Sequence, residues 1–203
     1  MLKLLTKFLS IPLLYDTFQY AVGGKKAYKI YVTQYLQPKS RMRILDVGCG
    51  TGEILKYLPK DVFYKGYDIS SSYIDSARQN FGNRGDFAIG NAANIVEPEE
   101  SFDLVMVNGA LHHMDDATVL ALLAKINPIL KSGGRFISLD GVYTDNQSRI
   151  ARLLLDADRG KHVRTKEQYM QLAKKYFEHI DANISNHLLR IPYTHLIMIG
   201  YKT

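Results

Sequence analysis

From residue 43 to residue 141, short apolar runs alternate with stretches whose apolar residues recur at helical spacing. Runs at 44–47, 62–67, 87–89, 104–107 and 136–139 read as buried strands, and segments at 54–58, 71–81 and 116–130 read as the helices between them. Strands interleaved with helices in this way predict a parallel sheet covered on both faces, a Rossmann-like, doubly wound α/β fold. The flanks break the rhythm. Upstream, Ser10 can cap a helix that carries Pro12 near its start and ends at Gly23 and Gly24; residues 25–36 form another, stopped before Pro38. Downstream, residues 149–155 and 165–175 read as helices, the second opened by a Thr165 and Gln168 capping box. Strands at 179–184 and 194–200 then succeed each other with no helix between, which predicts an antiparallel pair at the sheet edge. The expectation is a seven-stranded, mostly parallel sheet in one domain of 203 residues, with helices over 1–41, a core over 42–141, and helices and closing strands over 142–203.

Composition supports a packed domain: 46% of residues are hydrophobic and 23% charged, near the averages for globular chains and far from those of disordered or polytopic membrane proteins. The lone cysteine, Cys49, excludes an internal disulfide and points to a reducing, cytoplasmic setting. The apolar start, Leu2 to Leu14, is interrupted by Lys7 and Pro12 and lacks a small-residue cleavage site, so export is not expected. The net charge of +6 is unevenly spread. Residues 1–43 hold eight Lys and Arg against Asp16, and residues 149–175 hold eight against Asp156, Asp158 and Glu167. Such flanks suit solvated helix faces, and equally an anionic substrate, a membrane surface or nucleic acid.

The candidate chemistry starts where the first strand ends. Ile44, Leu45, Asp46 and Val47 run into Gly48, Cys49, Gly50, Thr51 and Gly52. Glycines there let backbone approach a ligand closely and reach positive φ, and a following helix would offer unpaired N–H groups. Asp68, 22 residues beyond Asp46, ends the second strand, where a carboxylate can accept both ribose hydroxyls of an adenine nucleoside. A dinucleotide fingerprint would need its third glycine one place later, where Glu53 stands. An acid at that position disfavours phosphate and tolerates an ammonium group.

The segments ILDVGCGTGE, GYDIS, FDLVMVNGALHHM and INPILKSGGRFISLD resemble, in order and spacing, the class I methyltransferases dependent on S-adenosylmethionine (SAM). They are most similar to the small-molecule branch that includes ubiquinone and menaquinone biosynthesis enzymes, over roughly Met42 to Gly141. The resemblance implies SAM as cofactor and S-adenosylhomocysteine as product. Gly48, Gly50 and Gly52 would surround the methionine portion, with Asp46 orienting its ammonium and Cys49 a small buried filler of the loop. Asp68 would take the ribose and Ile69 would pack on adenine. Asn91 stands where the family commonly carries an aspartate that reads the adenine amino group; an amide oxygen can also accept there, with Ala92 offering its backbone N–H. Asn108 would line the methionine end.

Methyl transfer is an in-line displacement, so catalysis rests on holding the acceptor in line and, for a hydroxyl acceptor, on a base. His112 and His113 follow the fourth strand, at the end of the sheet where ligands bind. His113 is the candidate base, and His112 the candidate substrate-shaping residue. Arg164 could clamp a carboxylate or phosphate with its guanidinium fork, and Tyr193 and His195 follow Pro192 near the last strand. Tyr15, with Phe18 and Gln19, could form a lid. The expected reaction is methylation of an O or N atom of a small or lipid-linked, even anionic, metabolite, with peripheral membrane contact open. An RNA methyltransferase using the basic flanks, or a SAM-binding protein without turnover, remain alternatives. Metal is not expected, because Asn108 replaces the aspartate of a metal-dependent site. DNA is not expected either, because Gly109 and Ala110 follow Asn108 in place of a Pro-Pro-aromatic motif.

Overall fold

The computed structural model describes residue 17 and residues 20–91, 95–157 and 160–203. The helix expected from Ser10, the lid residues Tyr15, Phe18 and Gln19, and Ala92 lie mostly or wholly outside these. Among the described residues there are eight strands: β1 (Arg43–Val47), β2 (Phe63–Asp68), β3 (Gly85–Ile89), β4 (Phe102–Asn108), β5 (Leu130–Tyr143), β6 (Arg164–Thr165), β7 (His179–Ser185) and β8 (His195–Tyr201). Seven of them follow one another across the sheet in the order β3-β2-β1-β4-β5-β8-β7. The first four pairings are parallel; β8 lies antiparallel between β5 and β7. The doubly wound sheet with an antiparallel closing pair is thus present. The short β6, which pairs with β5, was not foreseen.

Periodicity fails to reveal β6 because two residues are too few to show a period. β1 is apolar or buried on four successive positions, as expected for a central parallel strand covered on both faces. Two apolar clusters form the cover. One joins Leu45, Val105, Val107 and Phe136 to Leu122, Leu123 and Tyr169; the other joins Ile44, Leu104, Met106 and Ile137 to Tyr31, Ile74 and Leu55.

The helices begin where side-chain oxygens cap them. In α1 (Gly24–Tyr31), by contrast, the cap residue is the left-handed Gly23, and the chain continues through a wider π turn, Val32–Leu36. Ser70 caps α2 (Ser71–Phe81), Asp115 caps α3 (Asp116–Ile129), and Ser148 caps α4 (Arg149–Asp156). The capping box opens α5 (Lys166–Ala173), with Thr165 and Gln168 each bonding the other's backbone.

The expected helix at 54–58 is a single 3₁₀ turn, Glu53–Lys56. Gly52 at φ 74° and Pro59 leave too few residues between them to propagate an α-helix. The glycine loop is therefore a tight turn without a long helix behind it.

Candidate functional site

The carboxyl ends of β1, β2, β4 and β5 meet along one edge of the sheet, where strand order reverses between β1 and β4. At β1, Gly48 and Cys49 donate their N–H groups to the Tyr67 carbonyl at 2.7 and 3.0 Å, which ties the glycine turn to β2. Asp68 completes the tie. Its two oxygens accept from the backbone N–H of Gly50 at 2.9 Å and of Ser70 at 2.8 Å. Gly50 sits at φ 55°, and a Cβ there would meet nothing within 4 Å, so the turn faces open space on that side. Gly52 differs: a Cβ there would press on Phe87 at 3.1 Å, which assigns it to packing between the turn and β3. Cys49 is buried against Gly66, and burial pushes its thiol far above the usual range, so it is a filler and no nucleophile.

Asp46 lies beneath the turn, 3% exposed. Tyr64 donates to its Oδ2 at 2.7 Å, while Oδ1 is buried without a hydrogen-bond partner. Burial, opposed by the Tyr64 bond and reinforced by the charge of Asp68, pushes the Asp46 carboxyl up to about 7. A buried carboxylate with an unpartnered oxygen is costly unless a cation or donor arrives to meet it. An ammonium group above the glycine turn fits that need.

Glu53, read from the sequence as an acid that disfavours phosphate, is tied up within the protein. It is buried, its carboxylate accepting from Lys56 at 2.7 Å and from the Tyr20 hydroxyl. Its charge is neutralised locally, so its effect on a ligand's charge is weak. Beyond Asp68, Ile69 is 75% exposed and Ile89, beside Asp68 in the strand register, is 56% exposed. Two large apolar side chains held in water at adjacent strand ends make a surface suited to a flat apolar ring. Ile69 follows Asp68 directly and is visible in the sequence, whereas Ile89 stands at the end of an apolar run and carries no separate signal. Asn91 is exposed just after β3.

The other half of the edge is built by residues far apart in sequence. Tyr31 of α1, 2% exposed, donates its hydroxyl to Asn108 Oδ1 at 2.6 Å. Burial chiefly, then the charges of Asp46 and Asp140, hold that phenol well above its usual range, so it remains a donor. The Tyr31 contact shows an N-terminal helix forming a wall of the site, and the helical pattern of α1 carried no signal of it.

His112 and His113 share a 3₁₀ turn, Leu111–His113, with ring centroids 4.2 Å apart. Their environments are opposite. His113 is exposed, whereas His112 is 5% exposed, with Nδ1 2.8 Å from Asp140 Oδ1. The candidate base His113 therefore lies at the surface, and His112, expected to shape the substrate pocket, is the buried member of the pair. Asp140 was missed: it ends an apolar strand and carries no spacing signature.

Arg164 also needs correction. Its guanidinium, 6% exposed, donates to Asp116 at 2.8 Å and to the carbonyls of Leu111, His162 and Met114 at 3.1, 2.9 and 2.7 Å. A fork with its donors spent on the chain cannot clamp a substrate; it holds the turn that carries His112. Tyr193 and His195 lie together, ring centroids 4.8 Å apart, where His195 pairs with Gly141 beside Asp140. Among the described residues, no group of three or more His, Cys, Asp or Glu is placed to hold a metal ion, and no helix is long and apolar enough to cross a membrane.

Residues 44–134 match the family model of the methyltransferase domain. Over this stretch the chain is similar to SAM-dependent methyltransferases. It is 31% identical over 139 residues to a ubiquinone/menaquinone biosynthesis C-methyltransferase of Xanthomonas oryzae, covering 63% of this chain and 54% of that protein. It is 30% identical over 128 residues to the 27-O-demethylrifamycin SV methyltransferase of Amycolatopsis mediterranei, covering 60% and 45%. The chain thus spans about half the length of these curated relatives. In fold it is similar to a phosphoethanolamine N-methyltransferase of Haemonchus contortus, solved with S-adenosylhomocysteine, at a TM-score of 0.75 and 17% identity over 97% of this chain and 60% of that one. The family-model match, residues 44–134, begins after Tyr31 and stops short of Asp140, Tyr193 and His195.

Proposed function

We propose that this protein transfers the methyl group of SAM to a small-molecule acceptor and releases S-adenosylhomocysteine. The observation that carries the reading is Asp46: a buried carboxylate with one unpartnered oxygen beneath a glycine turn that opens outward at Gly50. The α-ammonium of SAM supplies the missing partner. Asp68, already aligned by two backbone donors, has lone pairs left for the ribose hydroxyls, since each carboxylate oxygen can accept more than once. Ile69 and Ile89 offer the apolar surface for adenine.

When bound, SAM supplies an electrophilic methyl carbon. The protein's part is to hold an acceptor in line with that carbon and to keep water away. Tyr31, Asn108, His112 and Asp140 border the place where the acceptor would lie. The relatives' names include carbon and oxygen methylation, so an expectation confined to O or N is too narrow for the branch. Isothermal titration with SAM and S-adenosylhomocysteine tests the reading. Both ligands should bind while NAD does not; binding of NAD and of neither sulfur ligand would overturn it.

A further inference from the structure

Helix α4 is apolar on two flanks. Ala151 and Leu155 are buried, and Leu155 reaches back to β5, where a Cβ at Gly141 would lie 2.6 Å from its Cδ2. Because Gly141 follows Asp140, α4 stands at the rim of the cleft, on the half proposed for the acceptor. One apolar stripe is enough to dock a helix on its own domain. The second stripe faces water: Ile150 and Leu153, neighbours at a spacing of three, are 61% and 67% exposed. Ile184, 43% exposed, stands at the same level, since it pairs with Leu196 of β8 and Leu196 pairs with Asp140 of β5. Phe63, at the start of β2, is exposed at the other edge of the sheet.

The charge around Ile150 and Leu153 is mainly basic. Arg149 and Arg152 are exposed on α4, and Lys161 is exposed in the loop after it. That loop is fixed to the cleft by His162, whose N–H donates to the His112 carbonyl at 2.9 Å. Asp156 is occupied: it accepts from the Tyr143 hydroxyl at 2.8 Å and lies 3.6 Å from the Arg152 guanidinium, which rests over the Tyr143 ring. Asp145 lines a shallow hollow with Arg149 and Arg152. Across residues 149–175, Lys and Arg outnumber Asp and Glu by eight to three. Exposed apolar side chains among cations are the two signals that together hold a protein at a membrane surface, one by insertion, the other by attraction to anionic headgroups.

We propose that α4 docks this protein on an anionic phospholipid surface, with Ile150 and Leu153 entering the headgroup layer and Arg149, Arg152 and Lys161 meeting lipid phosphates. Docking of this kind turns the rim of the cleft toward the bilayer and does not depend on what the cleft binds. A second copy of the chain fits the face less well. Pairing it with itself would set Arg149 and Arg152 against their counterparts. An eight-residue helix, about 12 Å long, also offers far less than the roughly 800 Å² per partner that a stable dimer buries. RNA would engage the cations and leave Ile150 and Leu153 without a role.

Flotation of the full chain with vesicles tests the proposal. The protein should float with an equimolar mixture of phosphatidylcholine and phosphatidylserine, and far less with phosphatidylcholine alone. Ile150→Ser combined with Leu153→Ser should lower the partition coefficient on the mixed vesicles at least tenfold. Both side chains are exposed, so the circular dichroism of this double variant should match that of the unaltered chain. A local probe is also at hand, because the chain contains no tryptophan. The emission of Leu153→Trp should shift to the blue on the mixed vesicles and be quenched by brominated acyl chains. Failure to float with the mixed vesicles, or equal flotation with both kinds, would overturn the proposal. So would flotation unaltered by the double substitution, which would place lipid binding elsewhere in the chain, or Leu153→Trp emission that vesicles leave unmoved. Dimers in sedimentation velocity that the double substitution abolishes would assign the face to a second copy and overturn it as well.

Discussion

The half of the cleft proposed for the cofactor is assembled from Asp46, the glycine turn at 48–52 and Asp68, all within one strand–turn–strand neighbourhood. The half proposed for the acceptor draws Tyr31 from α1, Asn108 from the end of β4, His112 from the 3₁₀ turn after it, Asp140 from β5, Arg164 from β6, Tyr193 from just before β8 and His195 from its start. In the first half, the N–H groups of Gly48, Cys49 and Gly50 are spent on holding the turn, and one carboxylate oxygen, Asp46 Oδ1, is left without a partner. In the second, the polar side chains bind one another: Tyr31 to Asn108, Asp140 to His112, Arg164 to the turn around both. A local site can be recognised from spacing. A site held together by cross-strand and helix-to-strand contacts has no spacing to recognise.

Substitutions can break this contrast. The largest expected effect falls on the acceptor half, at Arg164→Ala, which strips partners from three backbone carbonyls and Asp116. A loss of about 3 kcal/mol in unfolding free energy by urea titration, with cofactor affinity less affected, is expected from unsatisfied buried groups. In the cofactor half, Asp68→Ala should weaken S-adenosylhomocysteine binding by about 1 to 3 kcal/mol in calorimetry, through the lost charge-assisted bonds and a loosened Gly50 turn.

Asp46 sharpens the comparison through pH. Its folded carboxyl titrates at about 7, above its unfolded range near about 4, so the folded state holds the extra proton between them. Folding stability should therefore fall as pH rises through that window. Affinity for a ligand ammonium should do the opposite, rising about tenfold per pH unit up to about 7 and then levelling off. Asp46→Asn should flatten both curves, measured by thermal unfolding and calorimetry between pH 5 and 8. The smallest effect is expected at Gly50→Ala. Its φ of 55° costs an L residue about 1 kcal/mol, with no clash to add, so stability should drop slightly while ligand affinity drops more.

The run of parallel strands, the antiparallel closing pair and the Thr165 capping box were legible because period, turn residues and caps are local properties, whereas the order of strands across the sheet was not. The helix expected after Gly52 was not realised, since Pro59 cuts it to one 3₁₀ turn. Arg164 misled for a related reason. A sequence shows that a guanidinium is present and not whether its donors are already spent, and here backbone carbonyls from the turn after β4 consume them. His112 and His113 are neighbours of one residue type, so only burial distinguishes them.

By itself the sequence determined the doubly wound sheet, the glycine turn and the two acids beside it, because each depends on residues whose separation along the chain is set by strand and turn geometry. The tertiary structure alone decided which histidine faces inward, that Asp140 orients it, that Tyr31 closes the wall, and that Arg164 supports the turn in place of a ligand. Those outcomes depend on which segments fold against one another and on the cost of leaving a buried polar group unpaired, and neither is written in the order of residues.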